Sequence, residues 1–218
     1  MELLVADLGR CAYPVALALQ EELVARKHGG DATDHLLLLE HDPVYTLGRG
    51  ADAGDLRGAD QICGVPVFRV GRGGGVTFHG PGQLVAYPII TLRHGGRDVH
   101  RYVRMLEDVL VTTCADFGVA AERQEGRTGV WVGGAKIASI GIGVRRWTTY
   151  HGVALNVSTD LRFFSQIIAC RMPDVRTTSM ALELGAAPPV ADVAACFERR
   201  FRAAFGYAGR PEAQECCA

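Results

Sequence analysis

Three stretches of the chain carry apolar residues at helical spacing. Each is followed by a glycine, which commonly ends a helix. We therefore predict helices over residues 13–27, 99–117 and 190–205. Cys114 and Cys196 fall on the apolar sides of the second and third helices, so we expect both thiols to be buried in the core.

Short apolar runs bounded by turn residues predict strands. They are the N-terminal stretch Met-Glu-Leu-Leu-Val-Ala-Asp-Leu and residues 35–40, 67–70, 76–79, 84–90, 130–132, 137–144 and 153–157. The glycines at 133 and 134 indicate a hairpin that brings Lys136 onto a returning strand. Because most strands follow one another directly, the pattern favours an α+β fold, in which a mixed, mostly antiparallel sheet is covered by helices on one face.

Composition narrows the class of protein further. With 218 residues, 48% of them hydrophobic, the chain suits one folded domain, which we place at 1–206 before a polar tail at 207–218. The net charge of −1 gives no general attraction to nucleic acid or to an acidic membrane. No apolar run approaches the roughly 20 residues of a membrane span, and the N-terminus lacks a basic, apolar leader, so we expect a cytoplasmic protein.

The seven cysteines argue against two common uses of the thiol. Their number is odd, no export signal precedes them, and none stands at Cys-x-x-Cys spacing. A disulfide scaffold and a zinc knuckle are therefore disfavoured, and we expect most of the thiols to be inert.

Candidate chemistry starts in the glycine-rich segment 72–83. Glycines let backbone N–H groups approach a ligand closely, so this segment could form a ligand-binding wall; an ordinary hairpin with glycine-rich turns explains the glycines equally well. His79, between a strand and Gly-Pro-Gly, favours the binding interpretation, although a lone histidine is more often structural.

Two further residues stand out against their surroundings. Lys136 is the only charge in an apolar strand, which fits either a functional ammonium or a side chain that reaches out to water. Cys170 lies in a loop beside Arg171, outside helical or strand periodicity, where a thiolate could be stabilised by a cation.

Four segments together resemble the octanoyltransferases of lipoate biosynthesis. They are residues 72–83, 129–141, 150–161 and 167–173, and the similarity extends over most of 1–206. The resemblance implies a catalytic domain like that of biotin/lipoate protein ligases, with Cys170 as the acyl-thioester nucleophile and Lys136 as its partner. It implies a substrate-binding role for Arg72, Gly73, Gly74, Gly75, Val76, Thr77, Phe78, His79, Ser139, Ile140, Gly141, Gly152, Val153 and Ala154. The chain departs from the usual Pro-Cys-Gly at Ala169-Cys170-Arg171, and at Gly75 and Phe78.

The activity implied by this resemblance is transfer of octanoate from octanoyl-acyl carrier protein to a lysine of lipoyl domains. The acceptors would be the lipoyl domains of 2-oxoacid dehydrogenase complexes and the glycine cleavage H protein. A thioester donor is already activated, so we expect no ATP, other cofactor or metal ion, and we expect a monomer. Such partners are generally acidic, and arginines could form a docking rim for them. The candidates are Arg69, Arg72, Arg93, Arg97, Arg101, Arg104, Arg145 and Arg146.

Three other functions remain open from the sequence. An ATP-dependent lipoate or biotin ligase would use the lysine without a thiol. A cysteine hydrolase would use His79 to activate Cys170 and would release free octanoate. A non-catalytic module would bind the acyl carrier protein without turnover.

Overall fold

The computed structural model describes residues 2–52, 55, 61–62, 64–93, 97–167 and 175–208. The strands are β1 (Leu3–Cys11), β2 (Asp34–His41), β3 (Val44–Leu47), β4 (Gln61–Ile62), β5 (Val65–Arg69), β6 (Val76–His79), β7 (Gln83–Ile89), β8 (Glu122–Gln124), β9 (Arg127–Val132), β10 (Ala135–Arg145) and β11 (Thr148–Asn156). The helices are α1 (Tyr13–His28), α2 (Val99–Asp116), α3 (Met180–Leu184) and α4 (Val190–Phe205), with a 3-10 helix at Leu161–Gln166. The three predicted helices are confirmed, as are the predicted strands.

The strands form one large sheet and one small sheet. The large sheet has the order β1-β2-β7-β11-β10-β9-β8, and the small one has the order β4-β5-β3-β6. Within the described residues, β1–β2 and β3–β5 pair in parallel and the other strand pairs are antiparallel. The predicted α+β class with a mixed, mostly antiparallel sheet is therefore confirmed.

Helices cover both faces of the large sheet, so the expectation of a single covered face was wrong. Alternate residues of a strand point to opposite faces. On β2, Leu36 and Leu38 join the core beneath α2 and α4, whereas Leu37 and Leu39 join a second core beneath α1. β2 is therefore buried on both sides, which explains the unbroken apolar run in its sequence.

The small sheet contains a strand that the sequence patterns did not reveal. β3 is only four residues long and follows β2 after a two-residue turn, so its apolar residues merge with those of the preceding run. It lies between β5 and β6 and is completely buried. This position brings Thr46 next to His79 on β6, where both belong to the site described below.

A buried ion pair joins α1, β2 and the segment after α4. Lys27 of α1 contacts Asp34 of β2 at 2.7 Å, and both side chains are almost completely buried. Asp34 also accepts a hydrogen bond from the Tyr207 hydroxyl (2.8 Å), and the Tyr207 ring stacks against Phe201.

Cys114 and Cys196 are buried as predicted. Across the described ranges, no helix is both long and apolar enough to span a membrane.

Candidate functional site

The predicted substrate-binding segments meet around one small cavity, which we call the inner cavity. Its volume is about 30 Å³. Ten of the predicted residues line it: Arg72, Gly74, Thr77, His79, Ser139, Ile140, Gly141, Gly152, Val153 and Ala154. They come from β6, β10, β11 and the loop before β6, which are separated in sequence and adjacent in the fold.

The remaining predicted residues have other positions. Gly73 lines a neighbouring cleft, and the Gly75 carbonyl accepts a hydrogen bond from the Gly48 N–H at 3.1 Å. Val76 and Phe78 are buried in apolar clusters away from the inner cavity. Phe78 stacks on Phe163 of the 3-10 helix with ring centroids 4.4 Å apart, so its role in this structure is packing.

Backbone contacts hold the glycine-rich loop against β10. The Gly73 N–H donates to the Ile142 carbonyl at 2.8 Å, and on the other side of the loop the Arg49 N–H donates to the Arg72 carbonyl at 2.9 Å. A Cβ atom at Gly141 would lie 2.9 Å from Arg72 Cδ. A glycine at 141 therefore permits the close approach of loop and strand that shapes the inner cavity.

Arg72 is buried, which removes it from the proposed docking rim. Its guanidinium donates to the Thr46 carbonyl at 2.6 Å, to Thr46 Oγ1 at 2.8 Å and to the Gly73 carbonyl at 2.9 Å. These bonds fix a cation beside the inner cavity, where it is only weakly screened by water.

His79 is held as a neutral ring with a defined tautomer. Gln83 Nε2 donates to the Phe78 carbonyl at 3.2 Å, so Gln83 Oε1 faces His79 Nδ1 at 2.8 Å and that nitrogen carries the proton. His79 Nε2 then accepts from the Thr46 hydroxyl at 3.4 Å. Burial, reinforced by electrostatic interactions with His41 and the Arg72 cation, holds the pKa of His79 well below its usual value. Since both ring nitrogens are engaged, His79 is poorly placed to act as a general base.

The same hydrogen-bond chain continues to the backbone of Lys136. Gln83 Nε2 also donates to Asn156 Oδ1 at 2.9 Å, and Asn156 Nδ2 donates to the Thr178 carbonyl at 3.0 Å. The Thr178 N–H donates to the Lys136 carbonyl at 2.9 Å. The inner cavity and the lysine are thus positioned by one connected set of buried polar groups.

Lys136 lies on β10 at the wall of an open cleft of about 370 Å³, which we call the lysine cleft. The residue is 7% exposed, so most of its side chain is shielded from water. Its Nζ lies 5.2 Å from the centre of the Trp131 ring, a cation–π distance. Gly129, with a φ of +120°, runs beneath the side chain, and a Cβ atom there would lie 2.6 Å from Lys136 Cε.

The inner cavity and the lysine cleft share a thin wall. Gly74, Ile140 and Gly141 line both spaces. Two of these three residues have no side chain, so little material separates the two spaces.

Three residues of the inner cavity were missed by sequence reasoning: Tyr13, Tyr87 and His151. His151 is 2% exposed, and its Nε2 has no hydrogen-bond partner among the described residues. Burial, reinforced by the charges of Arg72 and Arg145, lowers the pKa of His151 to about 3, so its ring is neutral at physiological pH. The sequence did hold a signal for His151: it is a polar residue beside the apolar run 153–157, as Lys136 is a charge beside the apolar run 137–144.

Cys170 lies outside the described residues. Three other cysteines are described, and burial is the main cause of a raised pKa in each. The pKa of Cys11 is raised above its usual value. The pKa of Cys114 is raised to about 12 and that of Cys196 to about 11. These three thiols are therefore poor nucleophiles at neutral pH, as the sequence predicted for most of the cysteines.

Comparison with known proteins connects this arrangement to a family. Residues 12–202 match the model of the lipoyl protein ligase A/B catalytic domain. An octanoyltransferase of Geobacter metallireducens is 49% identical over 91% of this chain and 92% of its own length. An octanoyltransferase of Geobacter sp. strain M21 is 54% identical over 82% of this chain and 85% of its own.

Solved structures agree on the fold. A lipoate-protein ligase A bound with ATP superimposes with a TM-score of 0.75 at 18% identity, covering 97% of this chain and 89% of its own. A biotin protein ligase from Aquifex aeolicus in complex with biotin and ATP gives a TM-score of 0.55 at 11% identity, covering 94% and 70%. The expected similarity to the catalytic domain of biotin/lipoate protein ligases is confirmed.

Proposed function

This chain belongs to the lipoyl protein ligase A/B catalytic domain family and shares the acyltransferase class of its relatives, and from this membership we propose that it transfers an octanoyl group to lipoyl domains. The donor is octanoyl-acyl carrier protein, and the acceptors are the lipoyl domains of 2-oxoacid dehydrogenase complexes and the glycine cleavage H protein. Cys170 carries the acyl group between them as a thioester, with Lys136 as its partner. The observation that carries the proposal is the convergence of the predicted binding segments beside a buried lysine.

Chain connectivity supports the pairing of Cys170 with Lys136. The Lys136 N–H donates to the Arg176 carbonyl at 2.8 Å, six residues after Cys170. On the other side, Ile167, three residues before Cys170, packs with Leu47 and Val76 behind the glycine-rich loop.

The first chemical step forms the enzyme thioester. A free thiol with a pKa near 8.5 is about 3% thiolate at pH 7, and a pKa near 7 makes it about half thiolate. The Lys136 ammonium in its partly desolvated cleft supplies this stabilisation by its charge. The Cys170 thiolate attacks the octanoyl carbonyl, the bond to the carrier sulfur breaks, and the carrier thiolate takes a proton from Lys136.

The second step forms the amide. The lipoyl-domain lysine, with a pKa near 10.4, is neutral in only about 1 in 2,500 molecules at pH 7, so a base must accept its proton. Lys136, neutral after the first step, takes that proton as the amine attacks the thioester and the Cys170 thiolate leaves. His79 is the less suitable base because its ring nitrogens are bonded to Gln83 and Thr46.

The lining of the lysine cleft supports a position for the acyl chain. It includes the apolar residues Val103, Ile140 and Ile142, which suit contact with a fatty chain. A chain that starts with its carbonyl near Lys136 would run along this surface toward the shared wall at Gly74 and Gly141.

Acyl trapping tests the proposal directly. Incubated with octanoyl-acyl carrier protein alone, the protein should gain one octanoyl mass, mapped to Cys170, and should lose it when a lipoyl domain is added. The Cys170→Ala variant should show neither adduct nor transfer, whereas Cys11→Ala, which removes a thiol with a raised pKa, should retain both. Normal turnover by Cys170→Ala would contradict the thioester. Transfer that requires ATP and free octanoate would identify a ligase instead.

A further inference from the structure

His151 has a backbone conformation that is unusual within a strand. Its φ is +54°, in the left-handed region that residues with a side chain rarely adopt. The His151 N–H donates to Gln20 Oε1 of α1 at 2.7 Å. Gln20 is fully buried, and its Nε2 donates to the Ala16 carbonyl within α1. A buried partner on the covering helix therefore holds His151 in this conformation.

The consequence is a polar ring exposed to the inner cavity. His151 lines this cavity, and its buried Nε2 bonds to none of the described residues. A buried polar atom without a partner is unfavourable, so one that is retained in a strained backbone invites a functional explanation.

The position of the ring relative to the lysine cleft suggests that explanation. Gly74, Ile140 and Gly141 line both spaces, whereas Tyr13, Tyr87 and His151 line the inner cavity and not the cleft. An acyl chain with its carbonyl near Lys136 would reach His151 only by passing the shared wall at Gly74 and Gly141, and therefore only with its last carbons. At about 30 Å³ against about 370 Å³ for the cleft, the inner cavity has room for little more than a terminal group.

We propose that His151 forms the polar far end of the acyl site and limits the length of the acyl chain that the enzyme transfers. This inference rests on the proposed octanoyl transfer. A chain longer than the site must push its terminal methylenes against the imidazole, where they exclude water from Nε2 and offer it no hydrogen bond. This unfavourable contact slows the transfer of long acyl chains and does not affect chains that end at the shared wall.

A pair of acyl donors tests this with the unaltered enzyme. Nonanoyl and 8-hydroxyoctanoyl chains have the same number of heavy atoms after the carbonyl carbon, and they differ only in a terminal methyl or hydroxyl group. The hydroxyl can bond to His151 Nε2, so we expect kcat/KM for 8-hydroxyoctanoyl-carrier protein to exceed that for the nonanoyl donor by roughly tenfold. Equal rates, or faster nonanoyl transfer, would overturn the proposal.

A substitution at the same position gives the second test. His151→Gly suits the left-handed backbone and removes the ring, so the ratio of kcat/KM for decanoyl over octanoyl should rise roughly tenfold or more. Arg146→Gly is the matched control, because Arg146 also has a positive φ (48°) and lies in the β10–β11 turn outside both spaces. Arg146 is also a docking-rim candidate, but an effect on carrier-protein docking is the same for both donors and cancels in the ratio. The ratio in this control should stay at the wild-type value. A change of equal size in both variants, or no change in His151→Gly, would contradict a length-limiting role.

These results separate the two proposals. If the wild-type protein transfers octanoate to a lipoyl domain but the acyl-chain ratios do not respond to His151, only the length limit fails. If the wild-type protein transfers no acyl chain from the carrier protein, the proposed function itself fails.

Discussion

At the scale of single residues, Gly129 leaves the space that the Lys136 side chain occupies. A Cβ atom at 129 would lie 2.6 Å from Lys136 Cε and 2.7 Å from the Ala138 carbonyl oxygen, and the φ of +120° is unfavourable for alanine. Gly129→Ala should therefore displace the lysine, reduce octanoyl transfer by about 100-fold or more, and destabilise the fold by about 1–3 kcal/mol.

The matched control for this substitution is Gly118→Ala. Gly118 also has a positive φ (+82°), but a Cβ atom there has nothing within 4 Å, and it lines neither the inner cavity nor the lysine cleft. Kinetics and urea denaturation of the two variants would show a loss of stability in both, larger in Gly129→Ala, with the large loss of activity confined to Gly129→Ala. Equal activities in the two variants would mean that the position of the lysine is not critical.

Lys136→Met tests the charge of the lysine while keeping most of its length. Without the ammonium, the Cys170 pKa should return toward 8.5, so alkylation of Cys170 by iodoacetamide at pH 7 should slow about tenfold. The rate is measured by mass spectrometry of the Cys170 peptide as a function of pH. Arg123→Met, which removes an exposed arginine paired with Asp108, is the control and should leave the rate unchanged. An unchanged pH profile in Lys136→Met would contradict the charge effect.

The sequence predicted individual residues best where their chemistry contrasted with their surroundings. Lys136 was recognised as the only charge in an apolar strand, and it is buried beside a cleft. His151 has comparable surroundings but was overlooked, since its importance depends on a backbone angle and on contact with Gln20 of a distant helix. The assignment of Arg72 to the surface failed because its burial depends on Thr46, on a strand that was not predicted.

At the scale of secondary-structure elements, the amide pair Gln83 and Asn156 connects β7 and β11 to the segment that pairs with Lys136. Asn156→Leu would leave Gln83 Nε2 with one fewer acceptor and the Thr178 carbonyl without this donor. We expect a loss of about 2–4 kcal/mol in unfolding free energy, together with slower acyl transfer.

A polar residue of α2 provides the comparison for Asn156→Leu. Thr112 bonds only to carbonyls of its own helix, so Thr112→Val should cost less than about 1 kcal/mol and leave transfer intact. Urea denaturation and steady-state kinetics measure both effects. If Asn156→Leu proved as harmless as Thr112→Val, the amide pair would not position the site.

The sequence predicted helices well where the apolar periodicity extends over several turns. It predicted less well which face of the sheet each helix covers, because tertiary contacts determine that placement. The helices α1, α2 and α4 agree with the predicted ranges because each has several turns and a glycine after its end. The placement of α1 on the opposite face from α2 and α4 was not foreseen, since a strand that is buried on both sides has no polar face to indicate its orientation. The β10–β11 turn lacks the usual glycine: Arg146 and Trp147 both adopt positive φ.

At the scale of the whole molecule, buried histidines make stability depend on pH. Burial lowers the pKa of His41 to about 4 and that of His151 to about 3, and it lowers that of His79 strongly. In the unfolded chain these rings titrate near 6.5, so between that pH and the lower folded values the unfolded state binds more protons. Folding stability is therefore fully present above about pH 6.5 and is lost as the pH falls.

The size of this effect can be measured by urea denaturation from pH 7 to pH 5. Each of the three histidines should cost up to about 2 kcal/mol across the interval from pH 6.5 to 5, and the slope should correspond to uptake of nearly three protons at its lower end. A flat profile would contradict the buried neutral state of these rings.

The walls of the inner cavity come from distant parts of the chain. Tyr13 belongs to α1, whereas His151 and Ala154 lie on β11, the last strand among the described residues, which inserts between β7 and β10. A ribosome-bound chain that has emerged only as far as β10 therefore lacks one wall of this cavity and the central strand between β7 and β10. Under the proposed function, a growing polypeptide cannot consume activated octanoate until β11 has taken its place in the sheet.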